Sequence, residues 1–164
     1  MPEGDIPALV CYIASPSVTA AADGREIKLA DISSEDLANL RRQWFGSVYE
    51  IADLDYQRRT WLTPPTSSPH WSYVEFCCSY PDAHQLQLAR DHGHLSSREF
   101  DLLSAVGEAI RAHRANDDYD NAAILKDPGW HSVVAKAQTV RQQLLAITMD
   151  RVEQNYLTGE MGTA

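Results

Sequence analysis

The residues best suited to chemistry in this sequence lie in the segment Asp91-His92-Gly93-His94. Imidazole and carboxylate groups are common protein ligands of zinc, iron and manganese. Asp91, His92 and His94, together with acids from other helices, could therefore serve a metal-dependent hydrolase. Histidines two residues apart are also common on solvated turns, and the sequence lacks a His-Glu-x-x-His motif. We therefore treat the metal site as the alternative and a plain turn as the favoured interpretation.

Other catalytic and metal-binding patterns are incomplete. None of the nine glutamates is followed three positions later by histidine, the pair that a di-iron helical bundle requires. Glu50 and Asp53 form a single Glu-x-x-Asp pair, which cannot hold a metal by itself. Residues 117–121 begin like a calcium loop but lack its glycine at position six and its glutamate at position twelve. With no nucleophile elbow or phosphate-binding loop either, we predict no catalytic residue and no cofactor.

Glu75 is the only acidic or basic residue in the apolar segment 70–80. If this segment is buried, the carboxylate needs a partner or a raised pKa. An arginine from another helix is the natural partner, because guanidinium binds carboxylate through two hydrogen bonds. The candidates are Arg41, Arg42, Arg58 and Arg59. We favour this structural ion pair over a general acid or base.

Aromatic and acidic residues in two loops are the best candidates for contact with another protein. Tryptophan and tyrosine are frequent at interface hot spots, and carboxylates attract a basic partner. The predicted contact residues are Trp61, His70, Asp117, Asp118 and Asp120. Trp61 suits a place in the core equally well.

Helix start signals after residue 32 predict the fold. Ser33 and Ser96 each have an acidic residue three positions later, as in a capping box, and Asp127 precedes a proline. Apolar residues then recur at intervals of three and four, which is typical of one buried helix face. We expect helices over 33–59 with a kink or break at Gly46-Ser47, over 70–80, over 82–90, over 96–114 and over 128–156.

Two of these helices leave questions open. Ser68-Pro69 is a start signal for segment 70–80, although its aromatic and β-branched residues also suit a strand. The segment 128–156 would form a helix about 40 Å long, longer than any other element. Its far end would then project from the domain or pair with a second copy of the chain. We therefore predict a homodimer through the last helix.

These elements predict one all-α domain over residues 1–164. Residues 1–32 form an extended arm or a small β-hairpin, residues 33–157 an irregular bundle of five or six helices, and residues 158–164 a frayed tail. A chain of 164 residues buries about 70% of its unfolded surface, so its core needs no metal or disulfide.

Charge and apolar patterning exclude several classes of partner. With 14 basic and 23 acidic residues the net charge is −9, which argues against binding to nucleic acid. No apolar run reaches the roughly 18 residues of a membrane span. The three cysteines, Cys11, Cys77 and Cys78, show no Cys-x-x-Cys spacing, and we expect free, buried thiols. These features predict a cytoplasmic protein without membrane or nucleic-acid partners.

Two segments of this acidic, helical chain carry a family resemblance: PHWSYVEF at residues 69–76 and AILKDPGWHSVV at residues 123–134. With its size and acidity, the chain resembles the small acidic helical immunity proteins that bacteria keep in the cytosol to neutralise toxins, many of them basic nucleases. The resemblance implies a protein-binding module without catalysis that inhibits a basic partner. It assigns no residues.

Overall fold

The computed structural model describes residues 33–64, 66 and 71–161, and this part of the chain consists of helices joined by loops, with no strand. Its helices are α1 (Ser34–Ala52), α2 (Leu54–Trp61), α3 (Tyr73–Ser79), α4 (Ala83–Asp91), α5 (Ser97–Ala112), α6 (Asn121–Ile124), α7 (Pro128–Ile147) and α8 (Arg151–Thr158). The all-α prediction is confirmed for these residues. The eight helices exceed the expected five or six because two expected helices are divided and α6 is an additional single turn. The expected arm or hairpin over residues 1–32 lies outside the described residues.

Helix α1 begins where the sequence predicts but ends differently. The Ser33 hydroxyl accepts a hydrogen bond from the N–H of Asp36. The helix continues through Gly46. Helix α8 packs close to this position, where a Cβ atom would lie 3.4 Å from the Tyr156 ring. The break comes instead at Asp53, whose side chain accepts from the N–H of Tyr56 and starts α2. The predicted break at Gly46-Ser47 is therefore wrong.

Gln57 joins three helices from a fully buried position. Its Nε2 donates to the carbonyls of Glu50 and Ile51 at 2.9 and 2.8 Å, which satisfies acceptors in the last turn of α1. Its Oε1 accepts from the indole N–H of Trp130 in α7 at 2.9 Å. One amide thus fixes α2 against both neighbours.

Within segment 70–80, residues 73–79 form a helix rather than a strand, as favoured, and residue 70 lies outside the described residues. The N-cap is Ser72, which accepts from the N–H of Glu75, and the expected cap Ser68 lies outside the described residues. Only Tyr73 and Phe76 of α3 are fully buried. The helix therefore lies at the edge of the core and not in the middle of the bundle.

The caps of α4 and α5 agree with the sequence prediction. Ser96 and Glu99 form a complete capping box at the start of α5. Gly93 ends the preceding turn with φ of +76°, a left-handed conformation that favours glycine. Local side-chain chemistry is sufficient to define both boundaries.

The last predicted helix is divided in two, and its expected projection is wrong. Thr148 is extended, and Asp150 starts α8 by accepting from the N–H of Glu153 at 2.9 Å. Helix α8 turns back and packs on α1. Gly159, at φ of +76°, ends α8 so close to Tyr49 that a Cβ atom there would lie 2.3 Å from the ring. The homodimer prediction depended on a long projecting helix. The described residues form two shorter helices instead.

Arg41, Glu99 and Glu153 form what we call the Arg41 network, which joins α1, α5 and α8. The guanidinium donates to Glu99 and Glu153 at 2.8 Å each and to the carbonyl of His94 at 2.6 Å. All three side chains are largely buried. The network therefore connects the start of the bundle to its end.

Buried apolar side chains from α1, α5 and α7 form most of the core. At one end the core is aromatic, where the Trp61 ring lies 5.7 Å from Trp130 and 5.1 Å from Phe76. No helix of the described residues is long and apolar enough to cross a membrane.

The cysteines differ from one another. Cys77 carries a free, half-buried thiol, whereas Cys78 is disulfide-bonded. The expectation of a free thiol is therefore confirmed for Cys77 and wrong for Cys78, and Cys11 lies outside the described residues. Cysteine usage no longer supports the predicted cytoplasmic location, which remains a prediction.

Candidate protein-binding site

The acidic loop, residues 116–121, lies between α5 and α6. It combines three aspartates with one tyrosine. Asp117 and Asp120 are exposed, and Asp118 is half-buried. Between them, the side chain of Tyr119 is 74% exposed. An aromatic side chain that projects into solvent is therefore adjacent in sequence to three aspartates, two of which are exposed.

Hydrogen bonds within the acidic loop give it a defined shape. Asp117 Oδ1 accepts from the N–H of Tyr119 at 2.9 Å, and the Asp117 carbonyl accepts from the N–H of Asp120 at 3.2 Å. Asp120 Oδ1 accepts from the N–H of Ala123 and is the N-cap of α6. Two of the three aspartates thus bind backbone with one oxygen and keep the other for solvent or a partner.

A buried histidine lies where the two long helices meet beneath this loop. His113 is the C-cap of α5, and its Nε2 lies 2.8 Å from Oδ2 of Asp127, the N-cap of α7. Its Nδ1 lies 2.9 Å from the Tyr73 hydroxyl. The imidazole is 3% exposed and packs edge to face against the rings of Tyr73 and Trp130. We call Cys77, Tyr73, His113 and Asp127 the His113 network.

The electrostatics of the His113 network fix the direction of its hydrogen bonds. The hydrogen bond from His113 holds the pKa of Asp127 below its ordinary value, helped by the N–H of Gly129, so this carboxylate is ionised and accepts at neutral pH. Nε2 therefore carries the hydrogen. In a neutral imidazole Nδ1 then accepts from the Tyr73 hydroxyl, which also hydrogen-bonds the Cys77 thiol. Every polar side chain of the network from α3 to α7 therefore has a hydrogen-bond partner.

An acid, an imidazole and a hydroxyl in sequence resemble the connectivity of an activated nucleophile. An activated nucleophile needs a lowered pKa or an open approach. Here burial raises the pKa of the Tyr73 hydroxyl, and burial raises the pKa of the Cys77 thiol to about 12. Both shifts oppose nucleophilic attack. We therefore assign the network a structural role in holding α3, α5 and α7 together.

A surface concavity of about 330 Å³ adjoins the acidic loop. Its wall includes Asp117, Asp120 and Asp127, and its apolar lining includes Ala123 and Ile124. Arg114 also lines it, but this guanidinium donates to the carbonyls of Arg111 and His113 at the end of α5. The inner side of the loop therefore combines negative charge with an apolar floor.

The structure brings together only some of the predicted contact residues. Asp117, Asp118 and Asp120 lie together on one surface with Tyr119, which the sequence prediction omitted. Trp61 is 2% exposed and packs in the aromatic end of the core, so its predicted role in partner contact is wrong. His70 lies outside the described residues.

The alternative metal site is not formed. Asp91 binds Gln87 and Arg90, and the rings of His92 and His94 lie 6.3 Å apart on an exposed turn. Among the described residues, no group of three or more histidine, cysteine or acidic side chains could hold a metal ion.

The surroundings of Glu75 agree only in part with the prediction of a buried carboxylate paired with an arginine. Its Oε2 atom is buried, but it has no hydrogen-bond partner, and no arginine pairs with it among the described residues. Three of the four candidate arginines bind elsewhere: Arg41 to Glu99 and Glu153, Arg42 to Asn39, and Arg58 to Asp55. The expected ion pair is therefore wrong for the described part of the chain.

The immunity-protein resemblance has no support beyond the sequence itself. No protein-family model, curated protein or solved structure matches the chain. The functional argument therefore rests on the geometry of the acidic loop and the His113 network.

Proposed function

We propose that the chain is a protein-binding module that inhibits a basic partner, in the manner of an immunity protein that neutralises a toxin. The observation that carries this proposal is the exposed Tyr119 among the carboxylates of a hydrogen-bonded loop. The other features below support it.

Charge supports a basic partner. The chain has a net charge of −9, and the acidic loop carries three aspartates within four positions. Such a surface attracts an oppositely charged protein and speeds its encounter, with an effect that salt screens. We therefore expect the partner to present lysine and arginine residues to this loop.

Tyr119 supports a specific contact in addition to general attraction. A tyrosine adds a large amphipathic contact area at low entropic cost, because only two torsion angles must be fixed. The hydrogen bonds at Asp117 and Asp120 order the loop before the partner arrives. Such order reduces the entropy lost on association.

Affinity capture from a lysate of the source organism, followed by calorimetry with the purified captured protein, tests the proposal. We expect a basic protein whose affinity falls at high salt and whose own activity is inhibited by the chain. Tyr119→Ala should weaken binding at least about tenfold, as at an interface hot spot. Binding that is insensitive to salt and to this substitution would contradict the proposal.

A matched pair of charge variants distinguishes the effect of charge in the acidic loop from the effect of the net charge of the chain. Replacing Asp117, Asp118 and Asp120 by asparagine removes three charges but keeps the side-chain oxygens that accept from the backbone. The same change at the exposed Asp55, Asp82 and Asp101 alters the net charge equally. Only the first variant should lose the partner. Equal losses would mean that the acidic loop is not the contact surface.

A homodimer through the end of the chain is the second candidate. Three apolar side chains at the corner between α7 and α8 favour it: Ile147, Met149 and Val152 are 42%, 91% and 45% exposed. Sedimentation equilibrium should then give twice the mass of the chain, and Met149→Glu should restore the monomer. A monomer at all concentrations would exclude this interface.

A further inference from the structure

We propose that the His113 network holds the acidic loop in its binding conformation, so that Tyr73 and His113 are positioning residues that control partner affinity without touching the partner. The consequence for affinity rests on the proposed function. The claim that the network holds the conformation of the acidic loop rests on the contacts of the described residues.

The first contact closes the segment that contains the loop. His113 ends α5 and Asp127 starts α7, and residues 114–126 lie between them. The hydrogen bond of 2.8 Å between these side chains therefore joins the two ends of the segment. The side chain of His113 is 3% exposed and that of Asp127 is 35% exposed, so the bond is shielded from water on the histidine side only.

The second contact fixes the segment near its middle. Asn121, the first residue of α6, accepts a hydrogen bond of 3.0 Å at Oδ1 from the backbone N–H of Tyr73. The hydroxyl of the same tyrosine binds His113. Tyr73 thus contacts the segment through its backbone near the loop and through its ring at the closed end.

Apolar packing contributes little to the conformation of the acidic loop itself. In residues 114–126 only Ile124 and Leu125 are buried, and both follow the loop. The loop conformation therefore depends on hydrogen bonds more than on burial. A loop of this kind can open locally while the rest of the core stays folded.

Loss of the Tyr73 hydroxyl would leave Nδ1 of His113 buried without a donor. A buried acceptor without a partner is costly, and the imidazole would have to turn or admit water to recover a hydrogen bond. Either change weakens the closure at Asp127. The partner would then have to order the loop again, which lowers its affinity.

Hydrogen–deuterium exchange with Tyr73→Phe and Tyr80→Phe tests this role. Tyr80 is a matched control, because it is equally buried and its hydroxyl donates to the carbonyl of Leu103 at 2.8 Å, away from the loop. We expect Tyr73→Phe to speed exchange of the amides of Tyr119, Asp120 and Ala123 about tenfold. Tyr80→Phe should leave them unchanged at a similar loss of global stability.

Equal protection of these amides in the two variants would overturn the inference. If Tyr73→Phe does not fold, Asn121→Ala removes the second contact from a less buried position, and it should also speed exchange at these amides. Unchanged exchange in Asn121→Ala would overturn the inference equally.

The exchange experiment needs no partner, so its failure leaves the proposed function intact. The effect on affinity is measured with the purified captured protein. We expect Tyr73→Phe to raise its Kd about tenfold without altering the salt dependence, because no charge at the contact surface changes. Faster exchange with an unchanged Kd would overturn the positioning role alone.

Discussion

Two polar networks join the helices of this molecule, and they differ in charge and in what they hold. The Arg41 network binds one cation to two carboxylates and connects α1, α5 and α8. The His113 network holds an imidazole between a hydroxyl and a carboxylate, and it connects α3, α5 and α7 around a loop. The first holds helices that span the bundle, and the second holds a segment that is otherwise largely exposed.

The difference indicates how each network should fail. Burial disfavours the charged form of Arg41, but hydrogen bonds with Glu153 and Glu99 outweigh burial and keep its pKa above the ordinary value. Removing Arg41 leaves two largely buried carboxylates facing each other. Removing the Tyr73 hydroxyl leaves one ring nitrogen of His113 without its partner. Loss of the first network should therefore reduce global stability most, and loss of the second should mainly free the loop.

Arg41→Met is expected to have the largest effect. Leaving Glu99 and Glu153 without their cation should lower the free energy of unfolding by about 3 kcal/mol, as for other broken buried pairs. Urea denaturation measures this loss. Arg58→Met is the matched control, because its ion pair with Asp55 is exposed and contributes at most about 0.5 kcal/mol. Equal losses in both variants would refute the distinction.

Tyr73→Phe should lower the free energy of unfolding by about 1 kcal/mol, the net contribution of one hydrogen bond. Combined with Arg41→Met in a double-mutant cycle, the two losses should add, because the networks share no residue. Urea denaturation of the double variant measures the sum. A deviation of more than about 0.5 kcal/mol would show that the networks are coupled.

Acidification should weaken both networks. Burial raises the pKa of Glu99, but Arg41 and the Ser96 cap lower it more, and the pKa of Asp127 is lowered by His113. The stability that these carboxylates contribute is complete above their ordinary pKa values of 4.5 and 3.8, and it is lost as the pH falls through their lower folded values.

Glu50 acts in the opposite direction. Burial raises its pKa above 4.5, so protonation of Glu50 on mild acidification stabilises the fold. We expect urea midpoints to rise slightly as the pH approaches 4.5 from above and to fall below it. Glu50→Gln should abolish the rise and keep the fall. A profile unchanged by Glu50→Gln would contradict this assignment.

The smallest effect on stability is expected at Tyr119. Its side chain is mostly in solvent, so Tyr119→Ala should alter the free energy of unfolding by less than about 0.5 kcal/mol. The same substitution should weaken partner binding, as stated above. A large loss of stability in urea denaturation would show that Tyr119 belongs to the fold and not to the contact surface.

Helix boundaries were predictable from sequence where the signal is local. The cap at Ser96 with Glu99 and the cap at Asp127 before Pro128 each involve residues within three positions, and both appear as expected. The breaks at Asp53 and Asp150 are also N-caps, but each lies within a continuing apolar pattern. Periodicity alone cannot show that the helix changes direction there, because the reason is packing against another helix.

The candidate site was less predictable than the fold. The acidic loop is visible as a cluster of aspartates, but the role of Trp61 depends on burial, which the sequence leaves open. The His113 network joins residues 14 and 40 positions apart. A histidine after a helix carries no local sign of such partners. Only the tertiary arrangement of α3, α5 and α7 reveals them.

The packing of His113 against Trp130 gives the protein an optical reporter of its own loop. The ring centroids lie 5.4 Å apart, and Trp130 is fully buried. Indole emission responds to the polarity and charge of its surroundings, so movement of the imidazole or entry of water should alter the emission of Trp130. In a variant whose other three tryptophans are replaced, the state of the acidic loop could then be followed by the fluorescence of Trp130, without an attached dye.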